Sequence, residues 1–146
     1  MKSINRKLTV VILAIILVLP IICACTNKNE PVEEPPNIDW DFYNEKAVMF
    51  VMLTVNGELE TAMTMFDDDM AKAMNTDKIQ EMWLLTTTTA GDFISIHDVE
   101  NRFVDGYFIS TVIMRHQETG FGWRIAFSED GLIAGLHTAG TQSIPD

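Results

Sequence analysis

The hydrophobic pattern changes character twice along the chain, and each change marks a boundary. Leu8 to Ile22 carries no charge and only one polar side chain, Thr9, and it follows the basic residues Lys2, Arg6 and Lys7. A positive stretch followed by a short apolar run is the layout of a secretory signal. Residues 26–37 hold three Glu and three Pro (Pro31, Pro35, Pro36) and one large apolar side chain, Val32, so they read as an extended spacer. From Asp39 the spacing becomes helical. Tyr43, Ala47, Phe50, Val51 and Thr54 share one face, and Asn56-Gly57 stops that helix. Leu59, Ala62, Met63 and Phe66 define a second, short helix expected to end at Asp67-Asp68-Asp69, with room for one more turn near Met70 to Met74. A third is expected from an N-cap at Thr76, through Ile79, Met82, Trp83 and Thr86, to Ala90-Gly91. Its tail, Thr86 to Thr89, is four poor helix formers, each costing ~0.5 kcal/mol against Ala. The run therefore either frays or has a tertiary partner.

After Gly91 the period falls to two. Phe93, Ser95, His97 and Val99 alternate with Ile94, Ile96 and Asp98, and turns at Asp105-Gly106, Glu118-Thr119-Gly120 and Asp130-Gly131 delimit strands near 92–103, 107–117, 121–128 and 132–138. Helices first and strands afterwards predict an α+β domain, with three N-terminal helices packed on a curved four-stranded antiparallel sheet. The domain is expected over 38–138, after a signal over 1–24 and a spacer over 25–37, with a C-terminal tail over 139–146.

Ile22-Cys23-Ala24-Cys25 resembles the bacterial lipoprotein box, in which the cysteine is acylated and becomes the new N-terminus. Cys25 fits, because Ala24 before it is small, whereas Cys23 follows the bulky Ile22. The alternative is an uncleaved membrane helix from Leu8 to Cys25, about eighteen residues and at the lower edge of what spans a bilayer. Both place the domain on the extracytoplasmic face. Anchoring by lipid requires more than one acyl chain, since a single chain binds reversibly. A spacer rising about 3.1 Å per residue then holds the domain ~30–40 Å from the bilayer.

Three of the ten Lys+Arg and none of the 21 Asp+Glu lie in residues 1–24, which leaves 7 against 21 and a charge of −14 in the mature part. Nucleic acid is excluded as a partner on that balance, because phosphate neutralisation needs clustered cations. Repulsion from anionic lipid also holds the domain off the surface. With Cys23 cleaved and Cys25 acylated, no disulfide is available, and stability must come from core packing.

Several stretches carry a resemblance: Val55-Asn56-Gly57 with Ala62 and Phe66; Ile79 and Trp83 ahead of Gly91 and Phe93; and Ile125-Ala126-Phe127 ahead of Gly131 and Ile133-Ala134-Gly135-Leu136. From about Ala47 to Leu136 the chain resembles the uncharacterised NTF2-like domain of small lipoproteins, also found ahead of secreted α/β-hydrolases. The resemblance implies a cone of helices wrapped by a curved sheet, with a cavity used in related folds for ligands, catalysis or dimerisation. It implies no established activity. No hydrolase is expected within this sequence: it runs ten residues past Leu136, and none of its five serines sits in a Gly-x-Ser-x-Gly elbow. The chain is thus either a stand-alone lipoprotein or the accessory front part of a longer hydrolase gene.

Candidate chemistry is sparse. His97 and Asp98, as strand neighbours, are expected on opposite faces, while His97 and His116 on adjacent strands can meet. No metal-ligand spacing supplies a third ligand, and the Asp triplet lacks the interleaved calcium pattern, so no metal or cofactor is expected. Seven of the eight methionines after the signal lie between Met49 and Met82, which suits core filling, an adaptable apolar groove or, least of all, copper(I). Trp83, Phe93, Tyr107, Phe121 and Trp123 read first as core. Trp83, Phe93, Tyr107, His97 and His116 are the residues expected to line an open cone. The expectation is a non-catalytic binding module for a small apolar ligand, a peptide, or a second copy of itself through the sheet. An NTF2-like enzyme using His97 or His116 as general base is the alternative.

Overall fold

The computed structural model of the chain describes residues 37–145. Cys25, the signal and all of the spacer before residue 37 lie outside the described residues. Among the described residues four helices are followed by four strands: α1 Trp40–Val55, α2 Leu59–Met63, α3 Asp68–Ala73, α4 Thr76–Ala90, then β1 Phe93–Val104, β2 Tyr107–His116, β3 Gly120–Phe127 and β4 Ile133–Gln142. The strands form one antiparallel sheet in sequence order, β1-β2-β3-β4. This is an α+β fold with helices packed on one face of an open sheet.

The helix starts and stops follow local chemistry. Asp39 caps α1, its carboxylate accepting from the Phe42 N–H at 3.2 Å. Gly57, at φ +76°, takes the chain out of that helix. The Asp triplet begins a helix where it was expected to end one: Asp67 accepts from the N–H groups of Asp69 and Met70 at 3.1 and 2.7 Å and caps α3, leaving Asp68 and Asp69 in the first turn. Carboxylates are favoured there by the helix dipole. Likewise Asn75, and not Thr76, caps α4, accepting from Lys78 N–H at 2.9 Å. Thr76 is the first helical residue.

Tyr43, Ala47, Phe50, Val51 and Thr54 form the buried face of α1, as their spacing predicts. They meet the inward residues of the sheet, among them Phe108, Val112, Met114, Trp123, Ile125, Phe127 and Ile133. Tyr43 stacks on Phe108, ring centroids 4.3 Å apart and planes 8° apart. The link between α2 and α3 is tied to β4 by two backbone bonds, Ile133 N–H to Met65 O at 2.8 Å and Asp67 N–H to Ile133 O at 3.0 Å.

Two features of the sheet differ from the expectation. Strand β1 carries two bulges: Phe93 pairs with His116, Ser95 with Arg115, Ile96 with Met114 and Asp98 with Ile113, so Ile94 and His97 are each an extra residue. Every bulge shifts the in-out parity by one. The core-facing residues are therefore Phe93, Ile96 and Val99, at a spacing of three, and His97 is exposed. Strand β4 continues past 138 to Gln142 across a further irregularity, Trp123 pairing with Thr138 and Gly122 with Gly140. Ala139 and Gly140, residue types depleted in strands, interrupt the pattern there, which is why residues 139–142 read as a tail.

Candidate functional site

Helix α4 divides the molecule's two candidate regions between its faces. Ile79, Thr86 and Ala90 are buried on the inner side, with Met82 and Trp83 half-buried beside them. Trp83 is central there, its ring centroid 5.9 Å from Trp123, 6.1 Å from Phe93 and 5.8 Å from His116. The structure thus brings together three of the expected residues, Trp83, Phe93 and His116. It leaves two apart from them: Tyr107 is 46% exposed at the β1–β2 hairpin, and His97 sits exposed in its bulge. Opposite Phe93 in register, His116 does not meet His97.

His116 itself is only 3% exposed. Its Nδ1 lies 2.8 Å from the Gly91 carbonyl oxygen. A carbonyl only accepts, so Nδ1 carries the hydrogen and donates. The other nitrogen, Nε2, is buried with no hydrogen-bond partner, a state that costs about 1–3 kcal/mol. The ring clamps the end of α4 to β2, and its sealed Nε2 is not presented to solvent. Trp83 also lines a 320 Å³ cleft with Thr54, Asn56, Gly57, Leu59 and Gln80.

The four-threonine tail of α4 is helical to Ala90 because it has tertiary and local partners. Thr86 accepts the Trp123 indole N–H at 2.9 Å in the buried interior and donates to the Met82 carbonyl at 2.9 Å. Thr87 turns its hydroxyl back to the Trp83 and Leu84 carbonyls, at 3.2 Å each.

The outer face of α4 bears a different surface. Lys78, Glu81, Leu85 and Thr88 follow at three- and four-residue steps and so share one side of the helix, with Met82 at the edge between the two faces. With Met74 and Leu84 they line an open groove of about 590 Å³ whose walls are mainly apolar. Leu84 is 64% and Leu85 55% exposed. The signal for this groove is in the sequence: Leu84 and Leu85 fall outside the Ile79-Met82-Trp83-Thr86 stripe, which places two large apolar side chains on the solvent side.

Among the described residues no group of three or more His, Cys, Asp or Glu converges on a metal position. No helix among them is long and apolar enough to cross a membrane, which leaves strand-built spans unaddressed. Two ionisable groups among the described residues are shifted. Burial raises the Tyr43 phenol, and the nearby carboxylates of Glu129, Asp130 and Asp39 raise it further. The Ser128 hydroxyl, 2.6 Å from Asp130 Oδ1, holds the Asp130 carboxyl below its ordinary value. Neither lies in the groove.

No curated protein and no solved structure matches this chain. The profile of one family does, over residues 47–136, from the middle of α1 to the core-facing Leu136 of β4. The match takes in helices, sheet and groove and spans more than half of the 146 residues, so the chain belongs to the family described as protein of unknown function DUF3887.

Proposed function

We propose that this protein is an extracytoplasmic lipoprotein, anchored through Cys25, whose NTF2-like domain is a non-catalytic binding module. Its groove on the outer face of α4 takes the apolar side of a basic amphipathic peptide segment from a partner. The observation that carries the reading is the groove itself, with Leu84 and Leu85 mostly in water and methionines on its walls. Large exposed apolar side chains grouped around a concavity are a recurrent mark of interaction surfaces, and Met side chains repack around varied partners. Openness favours a peptide over an enclosed small molecule, because small-molecule sites bury most of the ligand's surface. The charge of −14 after the signal favours a cationic partner and disfavours insertion into anionic lipid.

The NTF2-like assignment is supported by the order of elements and by the two bulges of β1, a device that bends strands. The experiment is fluorescence anisotropy of a labelled Leu/Lys amphipathic helical peptide titrated with the full chain in uncharged detergent, beside a Leu/Glu peptide of equal apolarity. Saturable binding of the basic peptide alone is expected. Equal binding of both, or of neither, contradicts the reading.

A further inference from the structure

Arg102, Arg115 and Arg124, all the arginines among the described residues, project from the side of the sheet that the helices leave uncovered. Each sits between residues that point inward: Met114 and His116 flank Arg115, and Trp123 and Ile125 flank Arg124, all four buried, while Asn101 and Phe103 flank Arg102 opposite the buried Ser110 and Phe108. Alternation along a strand sends the middle residue to the other face. The lysines Lys46, Lys72 and Lys78 are on helices. A strongly acidic domain thus gathers its guanidinium groups on one surface.

Two of these arginines share a hollow of about 360 Å³, lined also by Glu100, Thr111, Ile109 and Gln142. Register places Arg124 opposite Thr111 on one side and His137 on the other, with Glu100 beyond Thr111, and Arg102 opposite Ile109 one pair further along the same face. Among the described residues the ion pair joins Lys72 to Asp69, so neither Arg102 nor Arg124 has a carboxylate within pairing distance there. A guanidinium presents a rigid fork of donors that matches two oxygens of a carboxylate or phosphate. Glu100 on the same rim suits a hydrogen-bond donor or amine elsewhere on the ligand.

We propose that this hollow is a second binding site, for a small ligand bearing an oxyanion, gripped by Arg102 and Arg124, with a donor group directed to Glu100. It is separate from the α4 groove and does not depend on it.

The test uses the full chain in uncharged detergent at constant ionic strength, with the arginine Nε–H and lysine-flanking amide signals followed by NMR. Inorganic phosphate and acetate are titrated separately. The site predicts saturable shifts at Arg102 and Arg124 with at least one of the two anions; phosphate alone assigns a phosphate ester, acetate alone a carboxylate. Arg102→Gln with Arg124→Gln should weaken binding at least about tenfold, whereas Lys46→Gln with Lys72→Gln should not. Non-saturating shifts of equal size at arginines and lysines overturn the proposal, as does undiminished binding by a double variant whose amide dispersion stays native. Protein-concentration-dependent broadening of this face with no response to either anion also overturns it, by assigning the face to a second copy of the chain.

Discussion

Trp123 and Thr86 are 37 residues apart in sequence and joined at 2.9 Å in the buried interior, the indole N–H donating to the threonine hydroxyl. The contact fixes the rotation of α4 about its axis. With Thr86 turned inward to β3, Trp83 faces the aromatic cluster and Leu85, one residue before Thr86, is turned to solvent. The apolar groove outside and the polar bond inside are two consequences of one helix orientation.

That bond can be tested by Thr86→Val, which keeps the shape and removes the acceptor. A buried indole N–H left without a partner costs about 1–3 kcal/mol, and urea denaturation should show a loss of that size. Stability within a few tenths of a kcal/mol of wild type would mean that the bond is replaced or absent.

Trp83→Ala should cost about 2–3 kcal/mol, below the ~3–5 kcal/mol of a fully buried aromatic truncation, because Trp83 is half-buried while Trp123 is fully enclosed. Trp123→Ala should reach the full amount. Equal losses at both positions would contradict the difference in burial.

Alkaline stability should depend on Tyr43. Its phenol is raised by burial and by neighbouring carboxylates, and its hydroxyl donates to the Glu129 carbonyl at 3.2 Å. A folded-state value above the unfolded one, about 10, means that the native state holds the proton more tightly. The contribution is complete below pH ~10 and is lost as pH rises through the folded value. Tyr43→Phe should be less stable than wild type at neutral pH and should flatten the decline above pH ~10. An unaltered alkaline slope would remove Tyr43 as its source.

Anchoring has its own test. Metabolic labelling with an alkyne fatty acid should mark the wild-type chain, and Cys25→Ser should lose the label. Full labelling of the serine variant would place the acyl group elsewhere.

Much of this fold was legible in the sequence, and the exceptions have local causes. The buried stripe of α1, the Asn56-Gly57 stop and the Asp105-Gly106 turn, with both turn residues at positive φ, follow from periodicity and turn chemistry. The period-two reading of β1 failed at its bulges, since the two extra residues at Ile94 and His97 change parity without a glycine or proline to mark them. For that reason simple alternation allows a His97–His116 pairing that the register does not form. The Asp triplet was ambiguous because short polar side chains both end helices and cap them. The arginine face has no local signature in the sequence, since Arg102, Arg115 and Arg124 come from three strands and only the register brings them together. Thr86's role depended on a partner too distant in sequence for any local pattern to indicate.

The most direct measurement of the central claim is the affinity of the labelled basic amphipathic peptide for wild type and for Leu84→Ser with Leu85→Ser. Both leucines are mostly exposed, so the double variant should melt within a degree or two of wild type, surface changes being close to neutral. If the groove holds the peptide's apolar face, the lost contact area weakens binding about tenfold or more, each apolar side chain buried contributing ~1.5–3 kcal/mol. Undiminished binding by a variant that remains folded would contradict the account and move the peptide, and with it the function, to another surface.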